Sequence, residues 1–534
     1  MIDKADAKTR RLVRAACCLL SIFFCLWSIA PQEACANNVD ISTAQLVDRH
    51  TTNDTIDIKF TIGWENSRYT TGAPSATANW DAAWVFAKYS VKSGETWGDW
   101  AHCTLATSGH SAASGATIDG GLTGATPVGV FIRRSSAGQG TVSFAHNELR
   151  WNYGADFVAD DAEIKVQLFA IEMVHIPEGS FYVGDTDGTA TGTLKWQDGT
   201  SGAPQITASL SAAINCANTS YDDTQLEGAG IRIDGDGGLD TDADGVIDNA
   251  DFPTGYKAFY LMKYEISQGQ YASFLNNLIA AQATTRYPGA EGNDRHVITK
   301  VGDTYGCDAN GNDVLNEPTD GEWVACNYLT WMDLCAYFDW AGLRPMSELE
   351  FEKACRGGQS AVNDEYADGT TSETVTSTLE SDYENDETPT TAGCHFNYNS
   401  CVPNGPFRSG CFGIGTNTRA ATGAGYYGAM ELSGNIWERC VSLGGDKDAS
   451  IKARDEFTGS HGDGELSNGG HGTNSDWPGE SSGTITGAAG SGFRGGSWLY
   501  DIFVARVADR GLASYPSAIR RSYGEGGRGA RTSP

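Results

Sequence analysis

The sequence predicts a loop-rich α+β fold preceded by a sandwich-like, β-rich N-terminal region. Three observations carry that expectation. Residues 37–170 hold runs of β-branched and aromatic residues with partial period-two alternation, separated by Gly- and Ser-rich breaks. Residues 327–358 hold two short helical patterns, each introduced by its own capping residues. Glycine supplies 66 of the 534 residues while charged residues make up only 20%, a composition suited to long irregular connections.

In chain order, residues 1–36 read as a signal peptide. Lys4, Lys8, Arg10, Arg11 and Arg14 precede an apolar run over residues 15–30, and Ala34-Cys35-Ala36 offers a small-x-small cleavage site. A run of about sixteen apolar residues is short for a membrane span, which needs about twenty. No lipobox precedes a cysteine and no second run of spanning length follows. The expectation is an exported chain, periplasmic or extracellular, with no membrane anchor after cleavage near Ala36.

The whole chain carries 37 Lys+Arg against 68 Asp+Glu, a formal charge of −31. Removing residues 1–36 leaves 32 against 65, a charge of −33. Such acidity opposes nucleic acid and anionic lipid as partners and suits cations. It also serves solubility alone. Ten of the 14 cysteines lie beyond residue 36. An even number in an exported chain predicts disulfides, with the pairing open. No CxxC pair occurs, so zinc-ribbon and thioredoxin-like readings lack their basic element.

Residues 37–170 form the β-rich region, with segments such as WVFAKYSV (84–91) and AEIKVQLFAIEMV (162–174). Nothing there gathers catalytic residue types, so a structural spacer is the expected role. The last strand of that region runs straight into a second domain near Ile171, over residues 171–534, interrupted by a Gly-, Thr- and Asp-rich insertion at 186–253. Two further tracts of that character occupy 363–389 and 444–490.

The paired helices lie within this second domain. Thr330 caps the first, with Asp333 at the position that returns a hydrogen bond to the cap. Trp331, Leu334, Cys335, Phe338 and Ala341 share one face, and Gly342 is the stop signal. Ser347 and Glu350 form the second capping box, followed by Leu349, Phe351 and Ala354. Arg356 with Gly357 and Gly358 closes that helix, as its dipole and C-cap favour. Ser267 and Gln270 form a third box in MKYEISQGQYASFLN (262–276).

The residues Trp331, Asp333, Ala336, Tyr337, Trp340, Gly342, Arg344, Glu348, Glu350, Glu352, Arg356, Gly357 and Gly358 together resemble the central signature of the formylglycine-generating enzyme family, or sulfatase-modifying-factor domain. Further blocks follow in that family's order. They are GYYGAMELSGNIWERC (425–440) and RGGSW (494–498), with Arg506, Ala508 and Arg510 downstream. Upstream, EMVHIPEGSFYVGD (172–185) resembles its opening strand pair. The resemblance implies a C-type-lectin-like formylglycine-generating-enzyme fold over about the last two-thirds of the chain. It also implies oxidase chemistry resting on two cysteines shortly after GGS that bind copper(I). Soft thiolates are the ligands copper(I) requires. Here no cysteine follows Cys440, so copper and formylglycine generation by that route are not expected.

Two calcium readings arise. Asp240, Asp242, Asp244, Asp248 and Asp251 stand at positions 1, 3, 5, 9 and 12 of a calcium loop, with Gly245 at 6 for the sharp turn. An acidic solvated linker is the alternative. By the family resemblance, Asn435 and Glu438 contribute oxygens to a structural calcium site, Glu438 by its side chain or its backbone; the alternative is hydrogen bonding to neighbouring backbone. A facial triad needs two histidines and a carboxylate. Only His461, Asp463 and His471 qualify, in a Gly-rich tract expected to be a flexible surface loop. Gly524-x-Gly526-x-x-Gly529 fails as a dinucleotide fingerprint, because only five residues follow it.

The leading functional reading is a calcium-stabilised binding or recognition module for a protein or glycan ligand. Its ligand face is the segment 498–521, where Trp498, Tyr500, Phe503 and Tyr515, with nearby Tyr523, offer aromatic contact or else pack in the core. The competing readings are an oxidoreductase of the formylglycine-generating and non-haem iron class using another metal site, and a hypervariable ligand binder on the same fold.

Overall fold

A computed structural model describes residues 39–534 except 72–77, 121–126, 188–189, 197–201, 209–213, 218–229, 232–248, 290–293, 373, 376–377, 391–402, 414–417, 444–455 and 514–520. These residues belong to the compact unit Ala34–Pro534. The expected signal peptide lies outside them, as do Asp240, Asp242, Asp244 and Asp248 of the expected calcium loop. No helix among the described residues is long and apolar enough to cross a membrane.

Four long strands begin the fold: β1 (Thr55–Thr70), β2 (Asn79–Ser93), β3 (Gly138–Asn152) and β4 (Ile164–Ile176). On β1 the alternation of Ile56, Ile58, Phe60, Ile62 and Trp64 selects one buried face. β1 pairs antiparallel with β3, from Thr55↔Asn152 to Tyr69↔Gly138, with two register shifts. β2 pairs antiparallel with β4, from Val91↔Ile164 to Asp81↔Val174. Among the described residues the two pairs are hydrogen-bonded to each other where Tyr69 and Thr70 meet Trp80 and Asn79. Ile58, Ile62 and Trp64 of β1, Val85 and Ala87 of β2, Trp151 of β3 and Ala170 of β4 share one core.

β2 and β4 are buried on both faces, and this explains their near-continuous apolar sequence. Their other face carries Ala82, Trp84, Phe86, Phe169, Ile171 and Met173 into a second core with the helices. β4 continues into pairing with β5 (Phe259–Met262), which pairs in turn with β8 (Ala530–Thr532) near the C-terminus. The division expected at 170/171 therefore falls inside one strand, where Ala170 and Ile171 are both buried.

Four helices pack on this sheet: α1 (Gln268–Asn276), α2 (Ala280–Arg286), α3 (Trp331–Trp340) and α4 (Glu348–Arg356). The three expected capping boxes are present. Ser267, Thr330 and Ser347 accept from the amides of Gln270, Asp333 and Glu350, whose side chains return the bond. α3 is buried nearly all round, beyond the single face its spacing suggested, because sheet and loops enclose it. Trp340 meets Phe86 and Phe169 edge-on at 5.2 and 4.8 Å. Trp84 donates its indole N–H to the Ala341 carbonyl at 2.8 Å, tying β2 to the end of α3. Gly342 follows with φ +67°, and a Cβ there would sit 2.7 Å from Val128. Only glycine satisfies both the conformation and the space.

A small C-terminal sheet completes the body. β6 (Trp437–Val441) pairs antiparallel with β7 (Ser491–Arg494) and parallel with Glu525–Gly526.

Two expectations need correction. Cys103, Cys307, Cys326, Cys335, Cys355 and Cys440 are free and buried, Cys411 is buried too, and no disulfide joins any two of these seven. They fill the core as small apolar side chains, and burial pushes the thiols of Cys355 and Cys440 far up. The Gly-rich tract around His461 is not a loose surface loop. Asp339 of α3 accepts from the amides of Asp463 and Thr473 at 3.1 and 2.8 Å, and Lys88 donates to the Gly464 carbonyl. Trp477 is fully buried there, its indole N–H on the Ser460 carbonyl at 3.0 Å. Polar side chains, invisible to hydrophobic periodicity, staple this chain to the core.

Candidate functional site

β6 and β7 place the segment that follows Arg494. Arg494 donates to Glu348 at 3.0 Å and to Glu352 at 2.6 Å, both on α4. Arg510 forks onto the same Glu348 at 2.6 and 2.7 Å. Arg356 bonds Glu352 at 3.4 Å and also Glu365. All six side chains are buried. The two arginines hold the Glu348 carboxyl below its ordinary range against the opposing effect of burial. Residues 494–510 are thereby clamped to α4 at both ends, and the clamp fixes what lies between.

Between the clamps, Gly495 and Gly496 turn the backbone with φ +89° and +73°. Ser497 is buried, and its hydroxyl has no hydrogen-bond partner. Trp498 is buried, donating its indole N–H to the Tyr523 carbonyl at 3.1 Å while the two rings meet edge-on. Asp501 then caps a short 3-10 turn, Ile502–Ala505, accepting from the Phe503 amide at 3.2 Å. Tyr500 is 42% exposed and Phe503 54% exposed. Tyr500 rests against the Trp437 ring of β6 at 5.7 Å, and the Arg506 guanidinium lies over Phe503 at 4.6 Å. Arg506 in turn pairs with Asp364 at 2.8 Å. Two aromatic rings thus face solvent on a rigid base. Of the five aromatics expected on this face, Trp498 is core, Tyr523 is partly buried, and Tyr515 lies outside the described residues.

Behind this face lies a buried charged cluster. Arg528 donates Nε to both Glu438 oxygens at 2.8 Å and Nη2 to the same carboxylate at 2.6 Å. Asn435, with φ +58°, accepts the Phe407 amide at 2.8 Å and donates to Glu265. Burial pushes Glu438 and Glu265 up, and Glu431 up to about 7. The side chains of Asn435 and Glu438, expected as calcium ligands, are thus engaged with groups of the fold. Both Glu438 oxygens already face a guanidinium, and the Asn435 carbonyl oxygen is bound to an amide.

The other metal candidates do not converge either. His461 Nε2 accepts the Thr532 amide at 3.0 Å, His471 Nδ1 faces the Ile485 carbonyl at 3.1 Å, and Asp463 accepts the Glu465 amide at 2.9 Å. No group of three or more His, Cys, Asp or Glu side chains is arranged to hold a metal among the described residues. Asp251, the one described member of the expected calcium loop, is exposed and donates its amide to Asn249 at 3.2 Å. Sequence reasoning missed the role of Asp339, for which there was no signal, since its partners lie over a hundred residues away.

No match is found among curated proteins. The family model described as "Sulfatase-modifying factor enzyme 1-like domain" matches residues 160–524, most of the chain, including the paired helices, the clamp and the aromatic face. The chain belongs to the formylglycine-generating enzyme, or sulfatase-modifying factor, family.

Proposed function

We propose that this chain is an exported binding or recognition module built on the family's C-type-lectin-like body, with the N-terminal strands as a structural spacer. One observation carries the reading: the segment after Ser497 has no cysteine and instead presents Tyr500 and Phe503 to solvent on a clamped base. Exposed aromatics on a rigid support are what a protein or glycan ligand uses, since they bury area at little entropic cost. The described cysteines offer no substitute, because they are buried within the core. The Asp240–Asp251 pattern supports calcium as a structural ion, one that steadies the insertion and takes no part in ligand contact.

Two assays on the mature protein test this. Incubation with a cysteine-bearing sulfatase peptide, copper(I) and a reductant is expected to leave the peptide mass unchanged, and aldehyde formation overturns the reading. A glycan and peptide array is expected to return a ligand whose binding falls at least tenfold in Tyr500→Ala with Phe503→Ala. Retained redox metal together with turnover would favour an oxidoreductase instead.

A further inference from the structure

Where β2 ends and β4 begins, the chain turns back and Thr96–Trp97 pairs with Lys92 and Ser93. The Gly98 amide donates to the Val91 carbonyl at 2.9 Å and the Ser90 hydroxyl to the Gly98 carbonyl at 2.6 Å, which pins the hairpin to β2. Trp97 is held there 41% exposed, with Trp100 partly buried three residues on. Lys165, opposite Ser90 on β4, places its ammonium 4.9 Å from the Trp97 ring and 4.5 Å from the Trp100 ring. Lys92 reaches the same Trp97 ring at 5.8 Å. One cation thus brings both indoles to a single point, and a second borders it.

The polar groups at that point are donors. Lys92 pairs with Glu163 at 2.8 Å, but Lys165 has neither a carboxylate nor a hydrogen-bond acceptor among the described residues. Partial burial lowers the pKa of its ammonium, and no carboxylate offsets that effect. The two indole N–H groups also lack partners among the described residues. Gln167 follows Lys165 on the same face of β4, about 7 Å along the strand. Its Oε1 accepts from Asn277 Nδ2 at 3.5 Å, which leaves its N–H donors without a partner among the described residues. In a chain with 68 acidic against 37 basic residues, an ammonium with no counter-charge is out of keeping with its surroundings. The exposed neighbours Ser93, Gly94, Glu95, Thr96, Gly98 and Asp99 are small or polar, so the rings lack the apolar margin of a protein interface.

We propose that Trp97, Trp100 and Lys165 form a second ligand site, one for an acidic saccharide: the indoles take the C–H face of a pyranose and Lys165 its carboxylate or sulfate. Lys165 lies against each ring, and the exposure of Trp97 leaves ring surface for the sugar. Gln167 and the indole N–H groups meet hydroxyl oxygens. The site does not depend on Tyr500 and Phe503, and it gives the N-terminal strands a contact role beyond that of a spacer.

The test is titration calorimetry of the whole mature protein at fixed ionic strength with four polymers: polygalacturonate, dextran sulfate, neutral dextran and polyglutamate. Saturable binding to polygalacturonate or dextran sulfate is expected, with none to dextran or polyglutamate; which of the two binds identifies the acidic group. Trp97→Ala with Trp100→Ala is expected to weaken binding about tenfold or more. Lys165→Gln is expected to weaken it about tenfold and Lys165→Arg to retain it, while Tyr500→Ala with Phe503→Ala leaves it unchanged. That last variant separates failure of this site from failure of the aromatic face near the C-terminus. Absence of binding to both acidic polysaccharides overturns the proposal, and so does equal binding of dextran. Equal binding of polyglutamate, or affinity unchanged in the double tryptophan variant, would assign the effect to charge alone and overturn it too. If the double variant fails to fold, the contrast between Lys165→Gln and Lys165→Arg decides, and equal affinities overturn the site.

Discussion

Glu348 has its two oxygens committed to Arg494 and Arg510 and also accepts the Leu443 amide, all out of water. Removing one member of such a set leaves uncompensated charge in a low-dielectric interior, which costs more than the pair itself contributes. Glu348→Gln is therefore expected to destabilise by about 3–5 kcal/mol. Phe503→Ala, at an exposed ring, should stay within about 0.5 kcal/mol. Urea midpoints at constant m-value compare the two, and equal midpoints would deny the clamp its role. At this scale the sequence was informative about local chemistry only. Ser347 with Glu350 could be read as a cap because both partners lie within one helical turn. Glu348 with Arg510 could not, because 162 positions separate them and charge type alone names no partner.

The helices were legible for the same reason: three capping boxes and the Gly342 stop are short-range signals, and each occurs where the spacing put it. The strands were legible as β but not as an arrangement. β4 could be read as one strand running into the second domain, but nothing in its sequence named β2 and β5 as its partners. Family order located the C-terminal blocks, whereas the anchoring of 456–490 by Asp339 and Trp477 had no periodic trace. The insertion supplies a prediction at this scale. If Asp240, Asp242, Asp244, Asp248 and Asp251 fold round calcium, titration calorimetry of the mature protein shows a saturable calcium heat. Asp242→Ala with Asp244→Ala then removes it, because a hard cation loses two of its six to eight oxygens. Identical heats in both proteins would return the loop to a solvated linker.

The whole molecule combines a strongly acidic chain with several carboxyls buried in its interior. Burial pushes Glu172, Asp339 and Glu431 each up to about 7. In the unfolded chain these groups titrate near 4, so between about pH 4 and 7 the folded protein binds protons that the unfolded chain has lost. Their contribution to stability is fully present below the unfolded value and disappears as pH rises through 7. Surface repulsion at net charge −31 works in the same direction, since it too grows as carboxyls ionise. Glu348 works in the opposite direction: its carboxyl is held low by Arg510 and Arg494 and its contribution is lost only in acid. A stability maximum near pH 5 is expected, with a fall towards pH 8 of a few kcal/mol that Glu431→Gln makes shallower by about 1–3 kcal/mol. Tm measured from pH 4 to 9 at fixed ionic strength checks the slope. A wild-type profile that rises from pH 5 to 8, or a Glu431→Gln profile parallel to it, would mean that these carboxyls fold already ionised.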